Sequence, residues 1–165
     1  MHTITAFLTS RWYWLALALL GMAMLGVALY YQYGVGDEPC QVCIHSRIWV
    51  AAMVLVALVM ACLPNTRALG VAGNVLVLVC ALGLGERSWY LYKIENGMGD
   101  GSCEFFLGFP PWLALDSWMP FMFEVRNLCS YSPDVLFGFS MAETLLAAAA
   151  GLVLVAIASL VLRLR

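Results

Sequence analysis

TLLAAAAGLVLVAIASLVL, residues 144–162, runs for nineteen residues without one Asp, Glu, Lys or Arg. A helix crossing the hydrocarbon core of a bilayer needs about 20 consecutive apolar residues. The run is apolar on every face, and it lacks the two-residue alternation of a transmembrane strand. Trp12–Tyr31, Ile48–Thr66 and Ala68–Gly85 are equally free of charge. The pattern predicts an all-α membrane protein, a four-transmembrane-helix bundle forming one integral membrane domain over residues 1–165. Its spans are expected at about 12–31, 44–63, 68–90 and 141–162, with outer loops at 32–43 and 93–140. Composition agrees, since 64% of the 165 residues are hydrophobic and only 11% charged. Disorder is excluded by so apolar a chain, and a soluble single core by so few polar residues to cover it. The first run exceeds the ~7–15 residues of a signal-peptide core, so it is expected to be retained as a span.

Four spans place both termini and the Leu63–Arg67 turn on one side. That side carries Arg11, Arg67, Arg163 and Arg165 and no acidic residue. The positive-inside rule makes it cytoplasmic. No basic patch suited to nucleic acid is present. The second outer loop is unusual. Its stretch Phe105–Val125 is rich in Phe, Trp and Met and is broken by Pro110, Pro111 and Pro120. Proline suits a first helical turn, so Pro111–Trp118 is predicted as a short interfacial helix stopped before Pro120. An irregular loop folded onto the bundle is the alternative. Ser140-x-x-Glu143 is a capping-box pattern and is expected to start the fourth span.

Six cysteines occur: Cys40, Cys43, Cys62, Cys80, Cys103 and Cys129. Cys62 and Cys80 lie within apolar spans, where a thiol is an inert small hydrophobe. The other four fall as one pair in each outer segment, on the side where disulfides persist. Cys40-Gln41-Val42-Cys43 is a C-x-x-C motif. Haem attachment needs His directly after it, and Ile44 stands there. Zinc needs four thiolates together, and no second close pair has ligand-like spacing, so zinc fits less well. Redox chemistry fits better, because Pro39 before the motif and the apolar run after it set both cysteines near a helix N-terminus. Unpaired N–H groups and the helix dipole stabilise a thiolate there.

Arg47 follows Cys43 by four residues, so the two share a helix face. A guanidinium in that position favours the thiolate and can donate hydrogen bonds to an uncharged polar ligand. Arginine at the centre of a span costs about 2.5–3.5 kcal/mol on insertion scales, and such residues are by default functional. Snorkelling to the interface is the bland alternative. His45, Asn74 and the Glu86–Arg87 pair read as interhelical polar contacts or boundary charges.

With these residues in view, the chain resembles the bacterial disulfide bond formation protein B (DsbB) family over essentially its whole length. The resemblance is carried by four spans, C-x-x-C-x-x-x-R entering the second, and a cysteine pair in a long outer loop. Cys103-Glu104-Phe105, Trp112-Leu113-x-Leu115-Asp116-x-Trp118-x-Pro120 and Gly138-x-Ser140-Met141-x-Glu143 are similar to family segments at matching places.

The resemblance implies a quinone-dependent thiol:disulfide oxidoreductase of the bacterial inner membrane, with cytoplasmic termini and periplasmic redox loops. Such an enzyme reoxidises a periplasmic DsbA-like, thioredoxin-fold partner and passes the electrons to the membrane pool of ubiquinone or menaquinone. It places Cys40 and Cys43 as the quinone-coupled pair, Cys103 and Cys129 as the partner-facing pair, and Arg47 against the quinone. The oxidised resting protein is expected to hold Cys40–Cys43 and Cys103–Cys129 disulfides, with Cys62 and Cys80 free. Two departures stand out. Ser46 replaces a common Gln or Glu, and Arg87-Ser88 replaces a common Arg-His pair. A DsbA-type partner, at about −120 mV, is too oxidising for most thiol couples to reoxidise, so a non-thiol electron sink is required. No glycine-rich strand-to-helix turn for a flavin or nicotinamide appears. Two other readings stand beside this one: a vitamin K epoxide reductase-like enzyme, and a non-enzymatic scaffold with disulfide-stapled loops. The tryptophan-rich loop favours the first reading, and Arg47 beside the C-x-x-C argues against a scaffold.

Overall fold

The computed structural model describes residues 2–98, 107–108, 114–127, 129, 134–136 and 138–164. A short helix α1 (His2–Leu8) leads into α2 (Arg11–Tyr30), which continues as a π-helical turn over Tyr31–Val35. Helices α3 (Gln41–Cys62) and α4 (Arg67–Glu95) follow. Single turns α5 (Leu115–Trp118) and α6 (Pro120–Phe123), a small antiparallel hairpin of β1 (Asp134–Leu136) and β2 (Phe139–Ser140), and α7 (Met141–Leu164) complete the chain. Among the described residues, four helices are long and apolar enough to cross a membrane: Arg11–Val35, Gln41–Cys62, Arg67–Glu95 and Met141–Leu164.

The ends of these helices follow from local chemistry. Cys40 and Thr66 are the N-caps of α3 and α4, and each accepts a backbone N–H three residues on. Leu63 is extended before Pro64, where helical geometry would clash with the ring. At α7 the capping box is reciprocal: Ser140 N–H donates to Glu143 Oε2 at 3.1 Å, and Glu143 N–H donates to Ser140 Oγ at 3.3 Å. The first span runs past the expected residue 31, to Val35. Gly36, at φ +83°, ends it in the left-handed conformation open to glycine. Likewise α4 runs on through Trp89, Tyr90 and Tyr92, aromatic residues suited to a membrane interface.

One buried cluster joins all four spans through Tyr13, Trp14, Leu17, Met53, Ala57, Val77, Ala81, Leu84, Ala149, Leu152 and Ala156. Large apolar side chains such as Leu19, Leu55, Val59 and Leu154 point outward, as lipid-facing residues must. Asn74 is an interhelical contact, accepting from Tyr13 Oη at 2.8 Å. Glu86 and Arg87 form an exposed ion pair.

Pro120 has a different role from the one expected. The turn Leu115–Trp118 does stop before it, but Pro120 then opens α6 as its first residue, a position where its missing N–H costs nothing. Residues 111–113 lie outside the described residues. Both readings of the loop hold in part: Phe123 and Leu107 pack on Ile44 of α3, while Trp118 and Phe121 remain exposed. Tight packing runs α2–α3, α3–α4 and α4–α7. Between α2 and α7 lies a cleft walled also by α3. That cleft positions the site.

Candidate active site

Cys40, as N-cap, is extended at φ −83° and ψ 167°, and its Sγ accepts the Cys43 N–H at 3.3 Å. Cys40 is 2% exposed. Both cysteines are free thiols in this structure, with no bond between them. A hydrogen bond with Cys43, and then burial, hold the Cys40 thiol far above the ordinary thiol range, so in this state it keeps its proton.

Arg47 is buried one turn further on, as the C-x-x-C-x-x-x-R spacing requires. Its Nη1 donates to Gln32 Oε1 at 2.6 Å and to Met122 O at 3.1 Å, and its Nη2 donates to Ala28 O at 3.1 Å. All three acceptors are neutral. The guanidinium is thus fixed in place by groups that bring no charge of their own, with the Asp37 carboxylate near enough for the two to attract.

Two of those acceptors come from places that sequence reasoning passed over. The π turn adds a residue to the helical register and brings Gln32 inward to 6% exposure. No sequence signal marks that turn. Gln32 itself is an amide at the edge of an apolar run, a weak signal that could have been read. Met122 belongs to α6, whose last carbonyls have no helical partner. Tyr33 Oη donates to the neighbouring Phe121 O at 2.8 Å. His45 Nε2 lies 3.0 Å from Leu107 O. Three side chains of the first two spans therefore hold the outer loop against the bundle.

The loop also meets the motif directly. Arg126 N–H and Asn127 N–H both donate to Pro39 O, at 3.0 and 3.2 Å, and Asn127 pairs with Cys40 in a parallel bridge. Two residues on, Cys129 is 1% exposed and shares one buried cluster with Cys40, Val42, Leu91 and Ala142. Cys129 is disulfide-bonded. Cys103 lies outside the described residues. Cys62 and Cys80 are distant from this cluster in their helices; Cys80 packs in the main core.

The cleft between α2 and α7 has a volume of about 270 Å³ and is lined by Met24, Ala28, Cys43, Ser46, Arg47, Thr144 and their neighbours. Its walls are apolar apart from the sulfur, the guanidinium and two hydroxyls. Ser46 Oγ donates to Val42 O and Thr144 Oγ1 to Ser140 O. Ser46 lines this cleft and Ser88 does not. Ser88 is fully buried and donates to Leu84 O within α4.

Comparison with known proteins agrees with this arrangement. The family pattern of "Disulfide bond formation protein DsbB" matches residues 10–159. Disulfide bond formation protein B 2 of Pseudomonas aeruginosa is 36% identical over 137 residues, 82% of this chain and 81% of the relative. Disulfide bond formation protein B of Shewanella denitrificans is 31% identical over 152 residues, covering 92% and 87%. That of Haemophilus influenzae is 30% identical over 140 residues, covering 84% and 79%. A four-helix membrane bundle with a cysteine pair capping its second span, matched along nine-tenths of its length, is a multi-pass, disulfide-forming oxidoreductase: the chain belongs to the disulfide bond formation protein B family.

Proposed function

We propose that this protein generates disulfides de novo as a quinone reductase of the bacterial inner membrane. Its partner is a periplasmic DsbA-like dithiol of thioredoxin fold. The observation that carries the reading is the buried Arg47, held by three neutral acceptors at the end of an apolar cleft that also reaches Cys43. A quinone head has carbonyl oxygens that only accept hydrogen bonds, and its tail is apolar. Arg47 would hold the head, and the cleft walls the tail. A bound quinone supplies a sink for two electrons.

The chain's own groups carry the rest. Cys103 takes the partner's thiolate in a mixed disulfide, which releases Cys129 as a thiolate. Cys129, sharing a buried cluster with Cys40, attacks that sulfur and frees Cys43 beside Arg47. The outer loop's backbone pairing with Pro39 and Cys40 supports this order by keeping the exchange away from solvent. With Arg11, Arg67 and Arg163 at one end, the termini face the cytoplasm and the cysteines the periplasm.

One assay tests the reading: quinone reduction by the purified protein in detergent with reduced partner in excess. Reduction that stops in Cys103→Ser and Cys43→Ser variants is expected. A wild-type protein that reduces no quinone would leave a scaffold. A partner lacking its second cysteine should be trapped through Cys103, and capture through Cys129 instead would reverse the order of the two cysteines.

A further inference from the structure

An apolar groove of about 390 Å³ lies on the outer surface at the arginine end of the bundle. It shares no residue with the cleft at Cys43. Phe7 of α1, Trp12, Ala16, Leu19 and Met22 of α2, and Leu58 of α3 line it. Trp12 and Met22 stand ten residues apart, which along a helix is about 15 Å. A hydrocarbon core is about 30 Å thick, so the groove is one leaflet deep. It starts at a tryptophan, a residue at home in the membrane interface. Such a shape suits one acyl chain.

The charge at its mouth narrows the choice of lipid. Leu15, Ala18 and Met22, which follow Arg11 by four, seven and eleven residues, share its helix face and line the groove. Helical side chains tilt toward the N-terminus, which carries Arg11 out to headgroup level. Ser10 donates its hydroxyl to Phe7 O at 2.8 Å and gives α2 no side-chain cap, so the first-turn N–H groups add to the attraction for an anion. Arg67 and Arg163 stand at the same end of the bundle. The described residues there, 2–12, 60–70 and 157–164, include no Asp or Glu. We propose that this groove binds an anionic phospholipid, with one acyl chain along Trp12–Met22 and the phosphate against Arg11.

The corner that presents these groups is fixed in advance. Leu8 O accepts from Ser159 Oγ at 3.0 Å and from Arg163 Nη2 at 3.5 Å, and Thr9 O accepts from Asn65 Nδ2 at 2.6 Å. Helix α7 and the α3–α4 turn thus hold Phe7 and Trp12 in place, and the lipid meets a formed site. A zwitterionic lipid fills the groove as well, but its ammonium is repelled by Arg11. A free phosphate has no chain to bury. Only an anionic lipid satisfies both halves of the site.

Nanodiscs of phosphatidylcholine carrying a rising fraction of one brominated lipid test this. Bromine on the acyl chain quenches a nearby indole, and the Trp12 signal is the difference between wild type and Trp12→Phe. Brominated phosphatidylglycerol should reach half-maximal quenching at a fraction about fivefold lower than brominated phosphatidylcholine, the effect of one basic residue on an anionic headgroup. High salt should narrow that ratio. Arg11→Gln should bring it to one, Arg11→Lys should keep it, and Arg126→Gln, at the opposite end, should leave it unchanged. Ala16→Leu fills the groove and should also bring the ratio to one. Arg11 and Ala16 are both exposed, so these variants keep the fold. Inorganic phosphate should not displace the lipid. Equal quenching by the two lipids in the wild type overturns the proposal. So does a ratio that survives Arg11→Gln or Ala16→Leu, which would leave a diffuse surface charge without a groove. Displacement by inorganic phosphate overturns it too, since the site would then hold a free anion. Quinone reduction enters none of these readings, so they stand apart from the function proposed above.

Discussion

The Arg47 guanidinium donates to Gln32 Oε1 at 2.6 Å, joining the π turn at the end of the first span to the first turns of the second. The amide lends an acceptor without lending a charge. A carboxylate in that place, added to Asp37, would further offset the cation and weaken its pull on a thiolate or a quinone carbonyl. Gln32 Nε2, meanwhile, is buried without a hydrogen bond, a cost of about 1–3 kcal/mol borne at the site.

Gln32→Leu and Gln32→Glu should therefore act in opposite ways. The leucine removes an acceptor from a buried charged donor and is expected to lower stability by about 1.5–3 kcal/mol. The glutamate keeps the acceptor and removes the orphaned donor, so stability should hold or rise while quinone reduction falls. Thermal unfolding in detergent and steady-state assays measure the two. Wild-type activity in Gln32→Glu would show that the site tolerates a second carboxylate beside Arg47.

Arg47→Ala should weaken quinone binding and slow alkylation of Cys43, because one guanidinium serves both. It also strips Met122 O and Ala28 O of their donor. Arg47→Lys should recover only part, since a single ammonium cannot reach three divergent acceptors as a planar fork does. Quinone titration of the three proteins checks this, and unchanged affinity in Arg47→Ala would place the quinone elsewhere.

Much of this architecture was legible in the sequence for a physical reason. Uncharged runs near 20 residues have few folded solutions besides spanning helices, and Ser140 with Glu143 marks a helix start chemically. The C-x-x-C and Arg47 could be placed on one helix face by periodicity alone. Gln32 could not, because its burial depends on a π turn that no residue type encodes. Nor could the acceptors Ala28 O and Met122 O, since a backbone carbonyl leaves no trace in a sequence. Asp37 reads as a loop charge until Gly36 is seen to turn it back.

Single-cysteine labelling reads the orientation. Asn65 and Met98 are both exposed, and they flank α4 at its two ends. In a cysteine-free background, an impermeant maleimide should reach a cysteine at 98 from the periplasm and one at 65 only after lysis. Labelling of both from one face would show that α4 does not cross the membrane.

Cys62→Ala and Cys80→Ala, alone or together, should leave turnover within about twofold of wild type. Cys62 lies at the exposed far end of α3, and Cys80 packs among apolar core residues. Neither shares a cluster with Cys40 or Cys129. The alanine at 80 costs some packing, so stability should fall modestly while the rate holds. A large loss of rate would mean a third redox group exists.

Gly83 offers a test of the bundle itself. A Cβ placed there would sit 2.4 Å from Trp49 Cε2 and 2.6 Å from Cδ2, well inside contact distance of a rigid indole. Small residues let membrane helices approach, and α3 and α4 are closely packed at this point. Alanine is the better helix former by about 0.8–1.0 kcal/mol, which works in favour of the substitution. Forcing a methyl into a packed interface costs about 1–3 kcal/mol and here meets a ring that cannot bend aside. The net effect of Gly83→Ala should be destabilising. Gly151 in α7 supplies the control, because a methyl there would have open space for 4 Å around it. At that position only the propensity gain remains, so Gly151→Ala should raise the midpoint of thermal unfolding or leave it unchanged. Equal midpoints for the two alanine variants would mean that Trp49 does not set the approach of α3 to α4.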